Sequence, residues 1–430
     1  MTTEVRKLPA GFGRLWAAQT VSSLGDGVTH AALPLLSLAL TRNPMALAVV
    51  TAAATLPWLL FGVLGGALVD RWDRRRTMWV TDAARAVLLA IPAAAAVLDV
   101  LSIPLLAAVA FLLGLGTLLF DTAAAAYLPD LLGREPALLE RANARMRATQ
   151  TAASGFAGPP AGSALLALGR AVPLLADAVS FALSALLVRS LPAAPKPVPQ
   201  ARESLLRQAR AGASYVFRDR LLLGLALRPA VGNIAFTAVE TVLALFAHDR
   251  LDIHTSGFGL LLTAEATGGL LGAGIASFLG RRLGTGTALT CTAAVEGVAI
   301  LGLAAAPNPY LAGLALAVCG AGMGATMVLA PSLRQAIVPA HLIGRVTSTS
   351  RMLAMCAAPF GAFLGGWLAF TFDVRTPLYT AAGLLLAMTA VTATMTDNRR
   401  VEAALRGASD RESPARDRRP DRVIEAVGGR

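Results

Sequence analysis

Charged residues are scarce in this sequence of 430 residues: only 15% are Asp, Glu, Lys or Arg, and 55% are hydrophobic. A soluble domain carries about 25% charged residues. So much apolar surface exceeds what a water-soluble core can bury, which excludes an ordinary soluble protein. Aromatic residues are also few, at 6%, and small residues let helices pack closely in lipid. With a mean hydropathy of +0.62, the composition predicts a membrane protein.

Cysteine and histidine are too few and too dispersed to suggest a metal or redox site. Cys291, Cys319 and Cys356 each lie in an apolar stretch, and no two form a CxxC pair. His248 and His254 flank a loop that offers too few further ligands for zinc. We therefore expect no metal, no cofactor and no catalytic residue.

Several motifs of enzymes and of ATP-driven pumps are missing. The sequence has no Walker motif, no HExxH and no Gly-x-Ser-x-Gly elbow. The first apolar stretch is too long for a cleavable signal peptide. The net charge of +12 does not indicate nucleic-acid binding, because the arginines lie in short loops between apolar stretches. These observations favour a transporter that is not an enzyme and does not use ATP.

Twelve apolar stretches are predicted to span the membrane, since a spanning helix needs about 20 apolar residues. They cover residues 15–40, 45–69, 77–98, 103–127, 145–168, 172–190, 221–247, 257–279, 286–306, 310–333, 346–371 and 376–396.

Arginine is distributed unequally between the two sets of loops. One set contains Arg71, Arg74, Arg75, Arg76, Arg134, Arg141, Arg145, Arg147, Arg281, Arg282, Arg345, Arg399 and Arg400. The other contains Arg42, Arg170, Arg250 and Arg375. Positively charged loops remain in the cytoplasm. We therefore expect a multi-pass protein of the cell membrane with both termini cytoplasmic.

A polar, Pro-rich segment divides the chain into two halves. We predict an all-α membrane protein with N-terminal and C-terminal six-helix bundles over residues 1–190 and 221–397. Residues 191–220 are expected to form a cytoplasmic linker with an amphipathic helix. Residues 398–430 are predicted to be a disordered cytoplasmic tail. A Gly-x3-Gly spacing that recurs in both halves supports an internal repeat, a common transporter design.

The loop after the second span resembles the cytoplasmic signature loop of the major facilitator superfamily, G-x-x-x-D-R-x-G-R-R. Gly66, Asp70, Arg71, Arg74 and Arg75 fall on this motif, whereas Asp73 replaces its second glycine. The resemblance implies a conformational latch between helix ends. The alternative is that these arginines only fix the topology.

The fifth span resembles the antiporter motif of the same superfamily. Gly155, Gly158, Pro159 and Gly162 follow its pattern, with Ser163 in place of the last glycine. In that superfamily the motif marks exporters more than importers. The alternative is ordinary packing of small residues.

Further patterns are similar to the macrolide-efflux and enterobactin-exporter branch of the drug:proton antiporters. The resemblance covers about residues 10 to 397 and includes Ser22 to Gly27, Asp82 to Arg85, Asp177 to Phe181 and Gly212 to Phe217. It implies the major facilitator fold, with spans one, four, seven and ten around a central cavity, and a working monomer. Arg85 is expected to pair with Asp82 or with the signature loop.

Acidic residues inside predicted spans are candidates for proton coupling and substrate binding, because ionisable groups at membrane depth are costly. Asp26, Asp121 and Glu240 lie in spans that the resemblance places around the cavity. Glu265 ranks after them, and Glu296 ranks last. Low dielectric favours the neutral form of a carboxylic acid, which can therefore carry a proton. The alternative is a structural hydrogen bond for each acid.

These observations predict a secondary transporter that exports small amphipathic molecules, such as an antibiotic, another natural product or a siderophore, by proton antiport and alternating access. A lipid or lysophospholipid flippase and an uptake transporter are alternatives. A membrane sensor or scaffold without transport is an alternative of another class.

Overall fold

The computed structural model describes residues 10–69, 72–133, 135–192, 205–339 and 342–416, and the helices account for almost all of them. The first half contains α1 (Ala10–Leu40), α2 (Pro44–Val69), α3 (Arg74–Val97), α4 (Ile103–Leu132), α5 (Pro136–Gln150), a π-helical segment (Thr151–Ala157), α6 (Gly158–Leu168) and α7 (Val172–Arg189). After α8 (Leu205–Arg218) the second half contains α9 (Arg220–Leu251), α10 (Thr255–Leu283), α11 (Thr285–Ala305), α12 (Pro309–Ile337), α13 (Ile343–Thr371) and α14 (Thr376–Ala393). The last described helix is α15 (Asn398–Arg416).

Ten helices in the described part of the chain are long and apolar enough to cross a bilayer. The other two expected spans are α1 and the continuous unit formed by α5, the π-helical segment and α6. α1 carries Asp26 and His30 among its apolar residues. The π-helical segment precedes Pro159 and Pro160, which have no N–H to donate to the preceding turn. The prediction of an all-helical membrane protein is confirmed.

The two halves contact each other mainly through two helix pairs. α2 packs against α13, and α6 packs against α10. Within each half the first helix packs against its fifth span, as α1 does against α6 and α9 against α13. The expected repeat is therefore visible in the packing.

The interior is closed at one end and divided at the other. At the closed end, one apolar cluster joins Leu35 and Leu47 of the first half to Val242, Leu251 and Phe258 of the second. At the end that carries the starts of α1 and α9, each apolar cluster contains residues of one half only. The halves are therefore separated at this second end, and the partly exposed side chains of Asp26, His30 and Glu240 mark the space between them as a central cavity that opens there.

The tail differs from its prediction. Residues 398–430 were expected to be disordered, but α15 covers the first part of this range. Val401 is buried, and the Asn398 amide donates to the carbonyl oxygen of Leu283 at 2.8 Å. These contacts anchor the start of α15 to α10 and explain the difference. The Pro-rich part of the linker, from residue 193 to residue 204, lies outside the described residues.

Candidate functional site

Asp26 and Arg85 form an ion pair on the cavity wall of the first half. The Arg85 guanidinium donates to the Asp26 carboxylate at 3.0 Å and to the Thr117 hydroxyl at 2.7 Å. The Asp26 side chain is 43% exposed, whereas that of Arg85 is 3% exposed. Asp26 therefore faces the cavity, and its partner is held inside the protein. The pair and Thr117 together connect α1, α3 and α4.

Buried groups on the side away from the cavity hold the Arg85 side chain in place. The guanidinium also donates to Asp82 at 3.3 Å, and the Ser184 hydroxyl donates to the other Asp82 oxygen at 2.5 Å. Arg85 stacks over the Phe181 ring at 3.9 Å from its centroid. Gly116 leaves room for the side chain, because a Cβ there would lie 2.9 Å from it. Pairing with Asp82 was expected, but the contact with Asp26 was missed.

Another polar contact inside the cavity joins the two halves to each other. The His30 imidazole lies 3.6 Å from the Glu240 carboxylate and forms an ion pair with it when protonated. Both side chains are about half exposed, at 51% and 44%. Glu265 lies within electrostatic range of both. Sequence analysis missed His30, although it follows Asp26 by four residues and so shares one face of α1.

Asp121 lies farther toward the open end, within electrostatic range of a positive charge of the other half. It is half-buried and within electrostatic range of Asp26, Arg85 and Arg351. Arg351, on α13, stacks over the Trp58 ring of α2 at 5.1 Å from its centroid. The sequence analysis also missed Arg351, which could have been recognised because it is an ionisable residue inside an apolar span.

The four predicted cavity acids are linked by one contact and by electrostatic interactions. Asp26 is within electrostatic range of His30 and of Asp121, His30 contacts Glu240, and Glu265 is within electrostatic range of Glu240. Glu296 stands apart from this group. Within the described residues, no three His, Cys, Asp or Glu side chains are grouped so that they could hold a metal ion.

Glu296 belongs to a buried network in the second half. Arg228 on α9 donates to the Glu296 carboxylate at 2.8 Å and to the Thr326 hydroxyl at 2.7 Å. Both charged side chains are largely buried. Like the Asp26 network, this one connects the first, third and fourth spans of its half, but here the base lies on the first span and the acid on the third. Glu296 is therefore the ion-pair partner of Arg228 inside the second half.

The antiporter-motif helix packs directly on α1. A Cβ at Gly158 would lie 2.5 Å from the Gly27 Cα, and one at Gly162 would lie 2.3 Å from the Val28 carbonyl oxygen. Gly155 faces Ala266 of the other half, where a Cβ would lie 3.0 Å from the Ala266 side chain. Close approach of small residues is typical of tightly packed membrane helices.

The second half repeats this arrangement. A Cβ at Gly361 would lie 2.3 Å from the Ile234 carbonyl oxygen, and one at Gly365 would lie 2.4 Å from that of Ala238. α13 therefore packs on α9 as α6 packs on α1. The Gly-x3-Gly spacing shared by the halves has the same structural role in both.

The signature loop is only partly within the described residues. Gly66 lies in α2, whereas Asp70 and Arg71 lie outside the described residues. Arg74 pairs with Asp130 and also donates to the Ala126 carbonyl oxygen at 3.1 Å. Arg75 donates to the Leu191 carbonyl oxygen at 2.6 Å. These two arginines thus connect the start of α3 to the ends of α4 and α7.

Asp73, which stands where the motif has glycine, is the N-cap of α3. Its backbone is extended, with φ −64° and ψ 113°, and its carboxylate accepts from the Arg76 N–H at 2.7 Å. The turn therefore needs no left-handed residue, and aspartate suits the position as a helix cap.

The closed end carries a polar contact between the halves. Arg42, in the loop after α1, lies 3.7 Å from Asp249 near the end of α9. A cleft of about 300 Å³ lies beside it and is lined by Leu38, Arg42, His248 and Phe258 among others. An ion pair between two partly exposed side chains in water stabilises the closed end only weakly.

Comparisons with known proteins identify the family. Residues 9–418 match the family described as transmembrane secretion effector. The multidrug efflux pump Tap of Mycolicibacterium fortuitum is 30% identical over 380 residues, which are 86% of this chain and 89% of that protein. The uncharacterized MFS-type transporter YfiS of Bacillus subtilis is 25% identical over 411 residues, 89% of this chain and 92% of YfiS.

Solved structures share the fold. The nucleoside transporter NupG superposes with a TM-score of 0.72 at 16% identity, covering 90% of this chain and 100% of NupG. A bacterial homologue of the iron transporter ferroportin, in its inward-facing state, gives a TM-score of 0.72 at 17% identity, covering 91% of this chain and 100% of the homologue. The resemblance found in the sequence is confirmed: the chain belongs to the transmembrane secretion effector family of the major facilitator superfamily, a family of membrane transporters and not of enzymes.

Proposed function

We propose that this protein exports small amphipathic molecules, such as an antibiotic, another natural product or a siderophore, in exchange for protons. Its relative Tap is named a multidrug efflux pump, and the two match over most of their length. The cavity between the halves supplies the place for substrate, and its acids supply the groups that carry protons. The protein works as a monomer in the cell membrane, with both termini in the cytoplasm.

The observation that carries this proposal is the unequal exposure of Asp26 and Arg85. Water in the cavity reaches the carboxylate, while the guanidinium is enclosed and also held by Asp82. A proton on Asp26 removes the negative charge and weakens the contact that joins α1 to α3 and α4. Protonation at one cavity residue is thereby transmitted to the packing of three helices.

The packing between the halves supports alternating access. Apart from the apolar closed end, the halves meet along α2 with α13 and along α6 with α10, at glycine-lined contacts. Gly259 approaches the Pro159 carbonyl oxygen, and Gly366 approaches Ala48, so that Cβ atoms there would lie 2.4 Å and 2.3 Å from these neighbours. Smooth contacts of this kind let two rigid bundles rock about a central site. In this cycle the signature loop, including Asp70 and Arg71, acts as the latch at the open end.

The test is proton release from acid-loaded, inside-out vesicles when macrolides, cationic dyes, siderophores or lysolipids are added. We expect one class to dissipate the gradient only when the protein is present, and Asp26→Asn to abolish this effect while the variant remains folded. Asp252→Asn is the matched control, since Asp252 is exposed in a loop with φ 51°, a conformation that asparagine also adopts.

Each outcome has a defined meaning. Normal proton release by Asp26→Asn would remove Asp26 from the mechanism. Lysolipid movement without proton release would favour the flippase, and inward accumulation of a compound would favour uptake. No response to any compound, together with no effect of Asp26→Asn in cells, would favour a sensor or scaffold.

A further inference from the structure

One face of α7 packs on the polar groups inside the first half. Asp177, Phe181 and Ser184 are spaced by four and three residues, so they lie on the same face of the helix. The Phe181 ring stacks on the Arg85 guanidinium, and the Ser184 hydroxyl donates to Asp82. The function proposed above involves Arg85 and its partners but gives Asp177 no role.

The hydrogen-bond partners of Asp177 are hydroxyl groups on two helices. The Thr29 hydroxyl of α1 forms a hydrogen bond with one carboxyl oxygen, and the Ser180 hydroxyl donates to the other at 2.9 Å. Asp177 is 1% exposed, so water in the cavity does not reach it. A Cβ at Gly25 would collide with the side chains of Asp177 and Ser180. The carboxyl therefore lies directly against the backbone of α1.

The charged groups around Asp177 do not neutralise a negative charge on it. In the part of the chain that the structure describes, no basic side chain forms an ion pair with Asp177. On α3, Arg85 pairs with Asp26 and Asp82 instead. On α1, an ionised Asp26 would repel a second negative charge, and His30 contacts an acid of the other half. α6, which also packs on α7, has no titratable residue. Because an unpaired buried charge is costly, the neutral acid fits this site.

The donors and acceptors at this site also match a carboxylic acid. One Asp177 oxygen accepts from the Ser180 hydroxyl. The O–H of a neutral acid on the other oxygen can donate to the Thr29 hydroxyl, because a hydroxyl accepts as well as donates. The amide of asparagine offers the same pair of groups, one accepting oxygen and one donating nitrogen. Asparagine at this position therefore reproduces the neutral acid but not an ionised carboxylate.

We propose that Asp177 keeps its proton throughout transport and is a positioning residue, which holds α1 against α7 through a contact that does not change with pH. This inference rests on the proposed export function, in which Asp26 takes up and releases the proton. Asp26 and Thr29 are three residues apart, so the fixed contact at Thr29 keeps Asp26 directed at Arg85. Protonation of Asp26 then loosens α1 from α3 and α4, while α1 and α7 stay together.

The test makes the same substitution at two buried acids of the first half. Asp177→Asn should leave both the midpoint of thermal denaturation and the proton release from inside-out vesicles as in the wild type. Asp82→Asn is the matched contrast, because Asp82 is equally buried but pairs with Arg85. It should lower the midpoint by several degrees and weaken proton release, since it leaves a buried arginine with one partner fewer. Asp177→Ala restores neither hydrogen bond and should lose stability and proton release as well.

Infrared spectroscopy of the purified protein detects the proton itself and needs no substrate. The wild-type spectrum minus the Asp177→Asn spectrum should contain the C=O absorption of a neutral carboxylic acid in mildly acidic and in mildly alkaline buffer. The pH dependence of proton release gives a second readout, and Asp177→Asn should keep the wild-type midpoint. An ionised Asp177 would make Asp26 hold its proton more tightly, so that its removal would move this midpoint to lower pH.

The outcomes distinguish this inference from the proposed function. Absence of the carboxylic-acid absorption in alkaline buffer, a shifted pH midpoint, or equal damage by Asp177→Asn and Asp82→Asn would overturn the permanent proton. Normal stability and proton release in Asp177→Ala would overturn the positioning role. If the wild type releases no protons with any compound, the proposed function fails, while the infrared absorption and the thermal midpoints still decide whether a neutral Asp177 holds α1 to α7.

Discussion

The contact between α1 and α6 yields the most quantitative prediction, for Gly162→Ala. The new methyl carbon would lie 2.3 Å from the Val28 carbonyl oxygen and 3.0 Å from its carbonyl carbon. An ordinary contact needs more than about 3 Å, so the two backbones must move apart by nearly 1 Å along a tightly packed surface. Neither neighbour is the flexible end of a side chain, and the strain cannot be relieved by a change of rotamer.

Overpacking of this kind costs about 1–3 kcal/mol. For the N-terminal six-helix bundle, this loss of unfolding free energy lowers the midpoint of thermal denaturation by several degrees. The measurement is the fraction of folded protein that remains after heating, followed by size-exclusion chromatography in detergent. Transport should fall as well, because the displaced α6 also faces α10 of the other half.

Two matched variants make this reasoning refutable. Gly365→Ala, the counterpart in the second half, would place its methyl carbon 2.4 Å from the Ala238 carbonyl oxygen and should be destabilised similarly. Gly302→Ala on α11 meets nothing within 4 Å and should be neutral or slightly stabilising. Equal midpoints for Gly162→Ala and Gly302→Ala would show that close helix packing does not explain the glycines of the motif.

Three further predictions concern charged groups. Asp82→Ala leaves the buried Arg85 with one partner fewer and should lower the free energy of unfolding by about 3–5 kcal/mol. Size-exclusion chromatography should show that this variant loses its monodisperse peak, whereas Asp252→Asn retains it. Arg42→Gln removes an exposed contact between the halves worth under about 1 kcal/mol. It should raise the population of molecules that are open at this end less than about fivefold, measured as distances between spin labels in loops 41–43 and 252–254; a complete shift would contradict this. The Arg375 backbone N–H and the Arg250 guanidinium lower the pKa of Asp373, so its stabilising contribution is present above the usual aspartate pKa of about 3.9 and disappears as the pH falls through the lowered value. Asp373→Asn should therefore melt below the wild type at neutral pH, with a difference that shrinks in acid; a difference that grew in acid would refute the assignment.

Individual elements show how much of the structure could be predicted from the sequence. The twelve apolar stretches correspond closely to the helices, because a bilayer requires long apolar segments whose backbone is hydrogen-bonded internally. Asp26 and Glu240 could be selected as cavity acids because charge at membrane depth is rare. Their partners could not be selected, because Arg85 is 59 residues from Asp26 in sequence and His30 and Glu240 lie in different halves.

The tail and the signature loop are places where the local sequence did not predict the structure. Disorder was predicted from residue 398 because the composition offers little to bury, yet Val401 and Asn398 find partners on neighbouring helices. Asp73 breaks the motif but caps α3. In both places a few contacts made by the folded protein outweigh the local composition.

The sequence by itself determined the solvent, the helices and the family resemblance, because these depend on local hydrophobicity and on motifs within single segments. Only the tertiary structure decided which charges meet, which end is closed and which glycines touch a neighbouring backbone. Those features depend on contacts between helices that are distant along the chain, and hydrophobic periodicity carries no information about which helices become neighbours.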